Sequence, residues 1–153
     1  MPVPDLETWR SRWTGEQVRY LGVRGVDVGD GYTEFVVEQP YGDKRDDDSL
    51  FLSTAITYAI DIAVVGAVSA HVDPAREQNN GTASLYLNWI AQPAGTVRVR
   101  AQIAHWGPFQ ALVDVTAHDE GGGLVAQGLS AYSLRQKPPA DPEGAQLDGP
   151  GAK

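Results

Sequence analysis

The sequence predicts an α+β domain: an antiparallel sheet wrapped around one long apolar helix. Three observations carry this. A stretch from Leu50 to Ala70 is apolar over many helical turns. Four segments after Thr82 alternate apolar and polar residues with a period of two. Short turn signals separate those segments, as in a meander of strands beside a segregated helix.

Taken in order, Asp5 to Trp13 reads as a short amphipathic helix packed as a lid on the core. Leu6, Trp9 and Trp13 recur at helical spacing, and Asp5 can cap the start. Val18 to Val28 reads as a strand, Gly29-Asp30-Gly31 as a hairpin turn and Tyr32 to Gln39 as the second strand, ended by Pro40. Residues 41–49 form a polar loop whose Asp46-Asp47-Asp48-Ser49 suits the positive end of the helix that follows. The helix runs from about Leu50 to Ala70, with His71 near its end and Asp73-Pro74 as the break. Residues 74–81 read as a loop closed by Asn79-Asn80-Gly81. Strands then span Thr82 to Ala91, Thr96 to Trp106, Phe109 to Asp119 and Leu124 to Arg135. A single domain thus covers residues 1–135, its first 17 residues a helical segment. The tail at 136–153, rich in Pro, Gly and Ala, is expected to be disordered. One sheet layer on one helix leaves an edge to cover, and a homodimer continuing the sheet would cover it.

Composition excludes several function classes. The 153 residues carry 42% hydrophobic and 21% charged side chains, the range of one globular domain. A net charge of −8 and a pI near 4.7 argue against nucleic acid and against anionic lipid as partners. There is no cysteine, so disulfides, thiolate nucleophiles and Cys-ligated metals are absent. The chain starts without a secretory signal pattern, which sets the expected compartment as the cytoplasm. The Leu50–Ala70 stretch approaches the length of a membrane span but holds Asp61 at its centre, and a buried core helix fits better. His71, His105 and His118 lack metal-type spacing, so no metal site is expected.

Asp61 is the informative residue. It lies in Ala59-Ile60-Asp61-Ile62-Ala63, and a lone charge in an apolar helix is costly to bury. Ser53, Thr57 and Asp61 recur every four residues with Thr54 and Tyr58 beside them, one polar stripe on an otherwise aliphatic helix. Such a stripe faces water, a partner subunit or a pocket. Asp61 is then either a base or nucleophile in that pocket, or a capped or salt-bridged structural carboxylate. Backbone N–H groups at the helix start, near Ser53 and Thr54, either polarise a bound carbonyl or are capped by Asp48 or Ser49.

The order of elements resembles the hotdog-fold acyl-CoA thioesterases of the phenylacetate-degradation (PaaI-like) type. The matching residues are Gly31 to Val37, Ala55 to Ala63, Thr82 to Trp89, Pro93-Ala94-Gly95 and Leu124 to Gly128. The resemblance implies a hotdog fold, dimerisation through the sheet, and an acid on the central helix as general base or nucleophile. Asp61 stands at that position. The family's His-Gly-Gly at the helix start is replaced by Leu52-Ser53-Thr54, which keeps the N–H that polarises the thioester and loses the His side chain. Asp46 falls where the family often has a water-orienting Asn, and Thr82 where a Ser or Thr completes the site across the dimer.

The implied activity is hydrolysis of an aliphatic or aromatic acyl-CoA. Coenzyme A enters as part of the substrate, no separate cofactor is needed, and the assembly is a homodimer or dimer of dimers. The alternatives are a non-catalytic module binding an acyl thioester or another hydrophobic ligand, and a hotdog enzyme of altered chemistry. Thr57, Tyr58, Phe51, Trp89 and Trp106 are candidates to shape an acyl pocket. Arg98, Arg100 and Arg135, with Lys137, are candidates for the coenzyme A phosphates.

Overall fold

The computed structural model describes residues 3–38 and 48–138. The elements in order are α1 (Leu6–Arg10), α2 (Glu16–Tyr20), β1 (Val23–Gly29), β2 (Tyr32–Val37), α3 (Asp48–His71), β3 (Glu77–Trp89), β4 (Val97–Trp106), β5 (Gln110–His118) and β6 (Leu124–Gln136). Six strands form one antiparallel sheet in the order β1-β2-β4-β5-β6-β3. β4, β5 and β6 follow as a meander. β3 closes back onto β6 and leaves its other side as an edge.

Helix α3 lies on one face of the sheet. Ile56, Ile60, Val64 and Val68 meet Phe35, Val97, Val99, Val113 and Val115, all of them fully buried or within 1% of it. From Ala55 to Ala70 every residue of α3 is buried except Thr57, Tyr58, Asp61, Val65 and Ser69. Leu52–His71 is thus long and apolar enough to cross a membrane, yet most of it is buried inside the domain. Its rotation is fixed by two side-chain bonds. The buried Thr33 hydroxyl donates to the carbonyl of Ala63 at 2.7 Å, and Asn79 Nδ2 donates to Ser69 Oγ at 2.8 Å.

The first residues cover the β1–β2 end of the core. Asp5 caps α1 by accepting the Thr8 N–H at 2.9 Å. Trp9 is 1% exposed, its ring 5.0 Å from Phe35, with Trp13 edge-on to both. Gly25 lies directly under the Trp9 ring, where a Cβ has no room.

Several boundaries differ from the sequence reading. Residues 16–20 form α2, and β1 starts only at Val23; Val18 is buried by a helical turn, whereas Tyr20 is exposed. The expected loop at 74–81 is mostly strand: β3 begins at Glu77, because β6 runs on to Gln136 and supplies partners as far as Glu77. For the same reason Gln136 belongs to a strand rather than a tail, and Lys137 donates to the Pro74 carbonyl. The expected tail at 139–153 lies outside the described residues.

Candidate active site

The exposed stripe of α3 runs alongside β3. Ser53, Thr57, Asp61 and Ser69 share one line of the helix, spaced by four or eight residues. Opposite them β3 presents Trp89, Leu85, Thr82 and Asn79. Between the two lies an open groove of about 540 Å³, walled by Ser53, Thr54, Thr57, Tyr58 and Asp61 from α3 and by Leu85 and Trp89 from β3. A second hollow of about 370 Å³ shares Ser53 and Trp89 and continues along residues 90–93.

Thr82 Oγ1 donates to Asp61 Oδ1 at 2.8 Å, within one chain. Among the described residues this is the carboxylate's single side-chain partner; no Lys or Arg pairs with it. Of the structural alternatives for Asp61, the salt bridge is not made among the described residues, whereas a capping hydrogen bond, from Thr82, is. One oxygen is held and the other is left to the groove. Beneath Thr82 lies Tyr132, 4% exposed and its cross-strand partner. Burial holds the Tyr132 phenol above its usual range, the Asp61 charge adds to this, and the Gly81 N–H opposes it.

The expected donors at the helix start need correction. α3 begins at Asp48, so Ser53 and Thr54 lie in its second turn. There a backbone N–H is ordinarily used by the carbonyl four residues before it, and the open N–H groups belong to residues 48–50. The Thr57 hydroxyl donates to the Ser53 carbonyl at 2.8 Å, so its proton is committed to the helix.

The arginines are not brought to the groove. Val97, Val99 and Ala101 face the helix, and strand alternation puts Arg98 and Arg100 on the opposite face. Both pair there with Glu34, at 2.9 and 2.7 Å, and Arg100 also stacks on Tyr32. Arg135 is exposed and alternates with the buried Leu134 on that same outer face. Trp106 sits at the other end of α3, against His71 and donating to Glu77. It is not part of the Asp61 groove. Asp46 and the Phe51 side chain lie outside the described residues. No group of three His, Asp or Glu suited to a metal occurs among the described residues.

Leu85, Asn79, Tyr132 and the stretch 90–93 were not singled out from sequence. The alternation that puts Leu85 inward was readable. The register that places Asn79 and Tyr132 was not.

No protein-family profile matches the chain, and no curated protein matches its sequence. Solved structures do match. A conserved protein from Pseudomonas aeruginosa is 24% identical, with 82% of this chain and 98% of that one covered at a TM-score of 0.69. A protein of unknown function from the same organism, described as a probable thioesterase, is 21% identical, covering 90% and 99% at 0.70. The Escherichia coli PaaI protein from the phenylacetic acid degradation operon is 13% identical, covering 88% and 98% at 0.65. The chain thus has the hotdog fold that these PaaI and thioesterase structures share.

Proposed function

We propose that this protein hydrolyses acyl-CoA thioesters, with Asp61 as general base or nucleophile. The observation that carries the reading is the Asp61 carboxylate, paired with one hydroxyl and open on a groove with an apolar floor. As base, Asp61 takes a proton from water, the hydroxide adds to the thioester carbonyl, and the thiolate leaves and is protonated. The products are a carboxylate and coenzyme A. As nucleophile, its free oxygen adds to the same carbon, the thiolate leaves and is protonated, and water hydrolyses the resulting mixed anhydride to the acyl carboxylate and free Asp61.

Distances along the helix suit this order. A chain of carboxylate, water, carbonyl and donor needs about 10 Å, from hydrogen bonds of ~2.8 Å at each end and a ~3 Å approach between. At 1.5 Å per residue, Ser53 stands about 12 Å from Asp61 along the axis and Thr57 about 6 Å. The carbonyl therefore lies between Thr57 and Ser53, toward the positive end of the α3 dipole. Tyr58, Leu85 and Trp89 accept the acyl group.

The assembly is a homodimer through β3. Among the described residues this 13-residue strand pairs on one side only, with its Tyr86 and the adjoining Ile90 more than half exposed. A long unpaired edge of this kind is covered by a second copy.

The test is thiol release from a panel of aliphatic and aromatic acyl-CoA esters, parent beside Asp61→Asn. Turnover in the parent and its loss by about 10² or more in the variant is the expected result. Equal activity in the two removes Asp61 from the reaction. Binding of the same esters without release from the parent marks a ligand-binding module instead.

A further inference from the structure

We propose that Gly81 is a positioning residue for Asp61, acting through a parity switch in β3 that turns Thr82 onto the carboxylate. The inference draws its kinetic arm from the thioesterase reading and has a second arm that does not.

The register of β3 on β6 slips twice. Asn79, Gly81, Thr82 and Ser84 pair with Leu134, Ser133, Tyr132 and Ala131, so Asn80 and Ala83 are extra residues. The side chains that face the helix are consequently Trp89, Leu87, Leu85, Thr82 and Asn79, spaced by two, two, three and three. Strict alternation from Leu85 would aim Ala83 and Gly81 at the helix and turn Thr82 away. The first extra residue brings Thr82 to Asp61 and the second brings Asn79 to Ser69, each at 2.8 Å. Asn80, thrown to the other face, donates to Ser133 at 3.2 Å.

Gly81 sits between the two slips with φ +107, a backbone conformation that L side chains rarely adopt. A Cβ built there meets nothing within 4 Å. Replacement by Ala therefore tests backbone freedom without a steric clash. Gly122 is a matched control: φ is +82, a Cβ again meets nothing within 4 Å, and the residue lies in the β5–β6 turn.

The experiment compares Gly81→Ala, Gly122→Ala, Thr82→Val and the Gly81→Ala/Thr82→Val double variant, with steady-state thioesterase kinetics and threonine-methyl NMR. The expected kinetic result is a fall in kcat of about tenfold in Gly81→Ala and in Thr82→Val, with KM unchanged. The double variant is no worse than either, and Gly122→Ala equals the parent. Parental kcat in Gly81→Ala, or additive losses in the double variant, overturns the proposal. In the NMR arm, Asp61→Asn shifts the Thr82 methyl signal in the parent background and leaves it unmoved in the Gly81→Ala background. A shift of equal size in both overturns the proposal even if no ester is turned over by the parent, an outcome that would separately refute the thioesterase reading. Should Gly81→Ala not fold, Gly81→Asn replaces it, since Asn tolerates positive φ better. An intermediate kcat is then expected, and parental kcat together with a parental Thr82 methyl response counts against the switch.

Discussion

Thr82 and Asp61 come from different elements, yet the Thr82 hydroxyl donates to one carboxylate oxygen at 2.8 Å and leaves the other to the groove. A carboxylate held this way keeps one orientation while its second oxygen faces the groove. Thr82→Val keeps the shape and removes the donor. It is expected to lower kcat about tenfold, the worth of one hydrogen bond to a charged group. Thr82→Ser is expected to restore most of the loss. Both sites are open to solvent, so the melting temperature should stay near that of the parent. Steady-state kinetics on the two variants, beside thermal unfolding, checks the pair.

Arg98 and Arg100 give the opposite expectation. They straddle Glu34 on the outer face of the sheet, with side chains 57% and 42% exposed against 16% for Glu34. Replacing both with Ala is expected to leave KM for acyl-CoA esters unchanged. Exposed pairs of this kind contribute about 0–1 kcal/mol, so the stability loss should also be small. A KM that rises severalfold with kcat intact would show that the outer face meets the substrate after all.

The strand alternation that sends these arginines outward was legible in Val97, Val99 and Ala101, as was the long helix and its polar stripe. The arginines are candidates for phosphate only as the clustered basic residues of an acidic chain, and the same alternation already gives them the ordinary solvated place on an outer sheet face. β3 failed for another reason. Asn79-Asn80-Gly81 carries the local chemistry of a turn, and only the partner strand reaching Gln136 makes it part of a sheet. A bulge is a property of two strands together, so the inward aim of Thr82 and Asn79 has no signature in either strand alone. The start of α3 was misplaced by two residues, within ordinary fraying error, yet that moves Ser53 and Thr54 out of the first turn.

The free edge of β3 yields a prediction about assembly. Tyr86 and Asn88 are exposed and alternate with the inward Leu85 and Leu87. In a twofold, edge-to-edge pairing, like charges set on this strand meet their own copies, and facing like charges destabilise a ladder. Tyr86→Lys/Asn88→Lys is expected to move the protein from dimer to monomer in sedimentation velocity while far-ultraviolet circular dichroism stays that of the parent. A parent that sediments as a monomer at every concentration would remove the edge dimer.

Tyr132 links the same strand pair to alkaline stability. Its phenol is raised above the ordinary value of 10.0, first by burial and then by the nearby Asp61 charge, with the Gly81 N–H acting against both. The sign follows from linkage. A group whose folded value is raised binds its proton more tightly in the folded state, so its contribution is complete below pH 10 and is lost as pH climbs through the folded value. Tyr32 is raised too, chiefly because its hydroxyl donates to Asp27, and it acts in the same direction from a more exposed position. Denaturant unfolding measured from neutral pH to beyond pH 10 should therefore show stability falling at the alkaline end. Tyr132→Phe should flatten that fall more than Tyr32→Phe, because burial makes the phenolate costlier at Tyr132. Phenolate absorbance should show late-titrating tyrosine in the parent, with one phenol's share of it missing in Tyr132→Phe. An alkaline limb that is as steep in Tyr132→Phe as in the parent would mean that some other group controls it.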